Sequence, residues 1–128
     1  MSSRDKALIA LHAALDKKAL EPALLDLSEQ HSYTDHILIL SGRGDRHVQT
    51  IADAVVDAVL EARGLRPIGM EGLREGRWAL IDYGDVVVHV FYHPLRSFYD
   101  IESLWHDAPR VTIDVPAELR YVGAEAAY

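Results

Sequence analysis

The chain has 128 residues, of which 49 % are hydrophobic, no cysteine, and 20 acidic against 13 Lys and Arg side chains, for a formal charge of −7. Length and apolar content predict one folded domain, and the missing thiols exclude a disulfide framework or a thiolate metal site. The acidic balance repels a phosphate backbone unless the basic residues gather in one patch, and it favours a basic protein as partner.

The opening MSSRDKALIA lacks the layout of a secretory signal, no apolar run approaches the ~18 residues that span a bilayer, and the absence of cysteine suits a reducing cytosol. From Ser3 to about Lys18, Leu8, Leu11 and Leu15 recur at helical spacing with Ala7 and Ala14 beside them. Ser2 or Ser3 can cap this helix, and Pro22 blocks its extension. Ala23 to Leu27 predicts a short strand and Ser28 to Thr34 a polar loop. The run His36 to Leu40 is almost wholly apolar, as expected of a strand covered on both faces.

After Ser41-Gly42-Arg43-Gly44, the longest helix begins at Asp45. Val48, Ile51, Ala52, Val55 and Val59 form its apolar stripe, and Gly64 sits where a C-terminal cap belongs. A strand is expected from about Pro67 to Met70. Two runs, Trp78 to Asp82 and Val86 to His93, then form a hairpin whose turn lies at Tyr83-Gly84 or Gly84-Asp85. In either register Ala79, Ile81, Val86, Val88 and Val90 share one face, a bed for a helix. Trp78, Leu80, Val87, His89 and Phe91 share the other, which is expected to look outward toward a partner. Pro94 ends the ladder, Arg96 to Tyr99 reads as a turn, and Asp100 caps a short helix, IESLW. Phe98 reads as ordinary core. Val111 to Val115 reads as a short strand or an extended tail. The order of elements predicts an α/β or α+β sandwich with a mixed sheet over residues 1–115, with residues 116–128 as a mobile tail. The two long helices can cover one face, or one face plus an edge.

Candidate chemistry is thin. Gly42-Arg43-Gly44-Asp45 has the look of a phosphate-binding turn, but the third glycine of the dinucleotide fingerprint is replaced by His47, and Asp45 repels phosphate. Asp82 and Asp85 are spaced as turn-forming acids rather than as a metal pair, though they add surface charge near the hairpin tip. His89 and His93, four apart on a strand, lie ~13 Å apart, too far for one metal ion. No nucleophile elbow is present. The sequence therefore predicts no enzyme, no metal and no cofactor. Trp78, His89, Phe91, Tyr99 and Trp105, with acids nearby, instead suggest a protein-protein surface or a homodimer face.

From about Ala7 to Val111 the chain resembles the ribosomal silencing factor (RsfS, Iojap-like) family. The motifs that carry the likeness are Asp45-Arg46-His47, Glu71-Gly72, Trp78, Asp82-Tyr83-Gly84-Asp85, His89, Phe98-Tyr99, Leu104-Trp105 and Asp107-Ala108-Pro109-Arg110. The resemblance implies a nucleotidyltransferase-like sandwich with a mixed five-stranded sheet and no working catalytic set. It implies a cytoplasmic translational repressor of nutrient-limited cells. Such a repressor binds the fourteenth protein of the large ribosomal subunit, blocks joining of the small subunit, and can dimerise off the ribosome. Carried over, it points to Trp78, Leu80, His89, Phe91, Tyr99 and Trp105 as partner-binding residues, with no direct reading of nucleic acid and no membrane. Gly44 departs from the family, where Ser or Thr is common, and shifts capping onto Asp45. The rival readings are a nucleotidyltransferase-like enzyme using Asp82, Asp85 and the Gly42–Gly44 turn, and a large-subunit assembly factor without silencing activity.

Overall fold

The computed structural model describes residues 2–30 and 32–120. Its elements run α1 (Ser3–Asp16), β1 (Leu20–Asp26), β2 (His36–Gly42), α2 (Asp45–Arg63), β3 (Gly69–Glu71), β4 (Trp78–Asp82), β5 (Val86–Tyr92) and α3 (His93–Tyr99), followed by 3-10 turns at Ile101–Trp105 and Ala117–Leu119. The sheet has the order β1-β2-β5-β4-β3, with β2 and β5 parallel at its centre and the other pairs antiparallel. This is the expected mixed five-stranded α/β fold.

Both long helices lie on one face. Ala7, Ala10, Leu11 and Ala14 of α1 and the predicted stripe of α2 pack on Leu38, Leu40, Ala79, Ile81, Val86, Val88 and Val90. The alanines let α1 come close to sheet and neighbour alike, so the fully buried line is more alanine than leucine, and Leu8 and Leu15 are only partly buried. Ser2 caps α1 by accepting from the Asp5 amide at 3.1 Å. Gly64 closes α2 in the left-handed region, φ 67°, as its position predicted.

Several boundaries differ from the reading of the sequence. β1 starts at Leu20 and runs through Pro22, because β1 is an edge strand whose register shifts between Leu20 and Ala23, with Glu21 at φ 48°. A proline is tolerated at such a bulge. Residues 93–99 form a helix, not a turn, with Pro94 in its first turn, where a missing N–H costs nothing. Residues 111–115 join no named strand. Only Arg110 bridges to Leu25, and the Val111 amide donates to the Leu24 carbonyl at 2.8 Å. The tail expected to be mobile begins with an ordered turn whose Leu119 is 2 % exposed, and the remainder of that expectation, residues 121–128, lies outside the described residues.

The largest correction concerns the face away from the helices. It is not bare. Residues 93–110 fold back over it, so that Phe91 packs with Ala23, Leu25, Leu27, Ile37, Ile39 and Ala108, and Trp78, Ile101 and Trp105 lean on this second core. Arg96 pins the layer. Its guanidinium donates to Glu102 at 2.9 and 3.2 Å, to the Glu21 carbonyl at 2.5 Å and to Ser41 Oγ at 3.0 Å. Burial pushes the Glu102 carboxyl upward, but the Arg96 hydrogen bonds and charge, with Arg110, outweigh it and hold the group below its ordinary value.

The 72–77 loop crosses tightly over the start of α2. At Gly72, φ 76°, a Cβ would stand 2.0 Å from the Trp78 carbonyl oxygen, whereas at Gly44, the uncapped start of α2, a Cβ meets nothing within 4 Å. Denaturant melts should therefore show Gly72→Ala losing more than about 2 kcal/mol, while Gly44→Ser gains a few tenths by supplying a capping oxygen.

Candidate functional site

The hairpin pairs Trp78 with Phe91 and Asp82 with Val87. The Tyr83 amide donates to the Val86 carbonyl at 2.9 Å, which centres the turn on Gly84–Asp85 with Gly84 at φ 88°. That register sends Trp78, Leu80, His89 and Phe91 to the outer face, as the parity of the strands predicted. Tyr99 reaches the same cluster from α3. The Trp78 ring centre lies 4.9 Å from Phe91, 4.7 Å from Tyr99 and 6.0 Å from His89. Trp105 belongs to the same layer but has Tyr33 as its ring neighbour, at 6.2 Å.

These residues do not all face solvent. Phe91 is fully buried and His89 is 6 % exposed, so neither is a surface for a partner. His89 instead accepts the Trp78 indole N–H on Nδ1 at 3.0 Å, and burial pushes its pKa down to about 4. It is a neutral acceptor that fixes the indole plane. The accessible part is Trp78 and Leu80, both half-buried, with Tyr99 at 47 %. Glu71, paired with Leu80, completes with Gly72 and Trp78 a cleft of about 280 Å³.

Phe98, read from the sequence as core, is 77 % exposed and packs edge-on against Tyr99 at 5.1 Å. The missed signal was the helix itself. Once residues 93–99 are helical, Tyr99 turned onto Trp78 leaves Phe98 about 100° round the axis, toward water. Leu104, on the 3-10 turn, is exposed as well.

The rival catalytic set is not assembled. Asp82 accepts the Gly84 amide at 2.7 Å and Asp85 is paired with Lys6 of α1 at 2.7 Å. Both stand at the hairpin end of the sheet, while the Gly42–Gly44 turn stands at the other, the length of β2 away, ~20 Å. Gly42 has a packing reason to be glycine, since a Cβ there would meet Val48 Cγ2 at 3.0 Å. His47 ties the junction together, accepting the Arg43 amide at 2.8 Å and bonding the Lys17 carbonyl at 2.7 Å. Among the described residues no group of three His, Asp or Glu side chains could hold a metal, and no helix is long and apolar enough to cross a membrane.

The fold and this surface define a class: single-domain mixed α/β proteins with an aromatic outer layer. A crystal structure from Chromobacterium violaceum has the same fold, with a TM-score of 0.78 and 32 % identity over 94 % of this chain and 98 % of that one. The chain belongs to the RsfS family, "Ribosomal silencing factor during starvation", whose model matches residues 1–127. The Bacillus subtilis ribosomal silencing factor RsfS is 41 % identical over 89 % of this chain and 96 % of its own length. A mouse relative, "Mitochondrial assembly of ribosomal large subunit protein 1", is 26 % identical over 70 % of this chain and 40 % of its own length.

The neutral His89 makes stability pH-dependent. With a folded pKa of about 4 against an ordinary 6.5, its contribution is complete above pH 6.5 and is lost as pH falls toward 4, because only the unfolded chain takes up the proton. The loss at pH 4 is on the order of 3 kcal/mol. His89→Gln, which retains an acceptor for the indole, should flatten this part of the profile in denaturant melts at pH 7, 5.5 and 4.

Proposed function

We propose that this chain is a translational repressor that docks on the large ribosomal subunit through its fourteenth protein and blocks small-subunit joining by occlusion. The carrying observation is the apolar surface of Leu80, Trp78, Tyr99 and Phe98, with Glu71 and Asp82 on the same face of the sheet. A docking site needs large, rigid side chains held in place before the partner arrives, and the Trp78–His89 hydrogen bond and the Phe91 stack supply that rigidity. The flanking acids suit a basic ribosomal protein and give the complex a salt dependence.

The RsfS relatives support the silencing half of this reading, and the mouse relative's name supports a second one, in which the protein acts during large-subunit assembly. The two differ in one assay. A repressor added to purified mature subunits reduces their association into complete ribosomes. An assembly factor without silencing activity leaves association unchanged.

Leu80→Glu and the pair Phe98→Ala with Tyr99→Ala should each weaken cosedimentation with large subunits by ~30-fold, about 2 kcal/mol. Circular dichroism verifies that the fold is kept. Wild-type binding by Leu80→Glu would count against this surface.

A further inference from the structure

One end of the sheet gathers exposed bases from separate segments. At the end where β2 and β5 finish, three separate segments converge: the C-terminus of α1 with Lys17 and Lys18, the β2–α2 junction with Arg43 and Arg46, and the 72–77 loop with Arg74 and Arg77. They are tied to one another through main-chain groups. Arg43 donates to the Lys18 carbonyl at 3.3 Å, His47 bonds the Lys17 carbonyl at 2.7 Å, and Gln49 donates to the Arg74 carbonyl at 2.8 Å. Lys17, Lys18, Arg46, Arg74 and Arg77 are exposed and form no ion pair with any described residue.

Six described acids share this end: Asp16, Glu21, Asp45 and Glu75, with Asp100 and Glu102, which line one cleft with Glu21 and the buried Arg96. Among the described residues seven bases, counting Arg96, stand with these six acids, in a chain that has thirteen bases and twenty acids in all. The hairpin end, about two Debye lengths away at physiological salt, holds Asp26, Asp35, Asp82 and Asp85, of which Asp26 is paired with Arg4 and Asp85 with Lys6. A chain with a net charge of −7 thus carries five exposed bases, Lys17, Lys18, Arg46, Arg74 and Arg77, without an ion pair to any described residue on adjoining segments at one end.

We infer that this end contacts the phosphate backbone of structured RNA. Unpaired Arg and Lys side chains on three rigid segments suit phosphates along a helix of RNA. The adjoining cleft of about 470 Å³, between Gly44, Arg77 and Leu95, also carries Asp45 and Glu75, so phosphates are met by the exposed bases outside it; among the described residues its one aromatic ring is the half-buried Tyr92, which leaves no platform for stacking unpaired bases there. The contact positions the protein and reads no sequence. It stands independently of the repressor reading, which rests on the opposite surface chemistry.

Fluorescence anisotropy with a labelled RNA duplex of about 20 base pairs at about 50 mM KCl tests this directly. The full chain should bind, Arg46→Glu/Arg74→Glu/Arg77→Glu should bind at least about tenfold more weakly with a log–log salt slope shallower by about two, and Leu80→Glu should bind as the wild type does. All three substituted arginines are exposed, and a thermal melt establishes that the variant is folded. Absence of duplex binding, equal binding by the triple variant, or polyglutamate competing as well as the duplex overturns the inference, the last assigning the end to an acidic protein. If Leu80→Glu keeps its affinity for large subunits, the repressor surface is refuted while the duplex result stands.

Discussion

One buried cation decides whether this protein has an outer layer at all. Arg96 sits with its side chain 10 % exposed where β1, β2, α3 and the Ile101–Trp105 turn meet, and it satisfies a carboxylate, a carbonyl and a hydroxyl at once. The carbonyl is that of Glu21, in the β1 bulge that also accommodates Pro22. Removing one partner of such a buried pair costs about 3–5 kcal/mol, since the other charge is left without compensation. The segment it holds carries Tyr99, Phe98 and Trp105. The aromatic surface is therefore an arrangement maintained from beneath by polar chemistry, not an oily strand face left exposed by default.

This explains why the face assignment was legible in the sequence while its exposure was not. Strand parity alone put Ala79 and Val88 under the helices and Trp78 and Phe91 opposite, because a two-residue turn fixes register whichever side chains follow. What covers the second face depends on residues 93–110, where Pro94 and the mixed polar spacing hid a seven-residue helix. Nothing in the spacing of Arg96 and Glu102 announces that they meet over a bulge in β1. Parity likewise leaves His89 open as an interface or a packing histidine, and the structure makes it the latter. Its partner, the indole of Trp78, lies on the adjacent strand, and only the three-dimensional register makes it a buried acceptor.

The asymmetry of charge follows from topology in a similar way. Parallel β2 and β5 begin at one end of the sheet and finish at the other, so every loop entering them sits at one pole and every loop leaving them at the opposite pole. Asp35 and Asp85 fall in the first group, and Arg43 and Arg46, with Asp45 between them, in the second. Composition averages these into a mildly acidic protein. The sheet instead sets Asp35 and Asp85, the latter paired with Lys6, apart from the exposed bases Lys17, Lys18, Arg46, Arg74 and Arg77.

Both tryptophans of the chain, Trp78 and Trp105, belong to that layer, and none lies under the helices. The intrinsic emission of the unlabelled protein is thus a local readout. Its wavelength and quenching by iodide report the polarity of one side of the molecule, and a ligand seated on the opposite side leaves the spectrum unmoved.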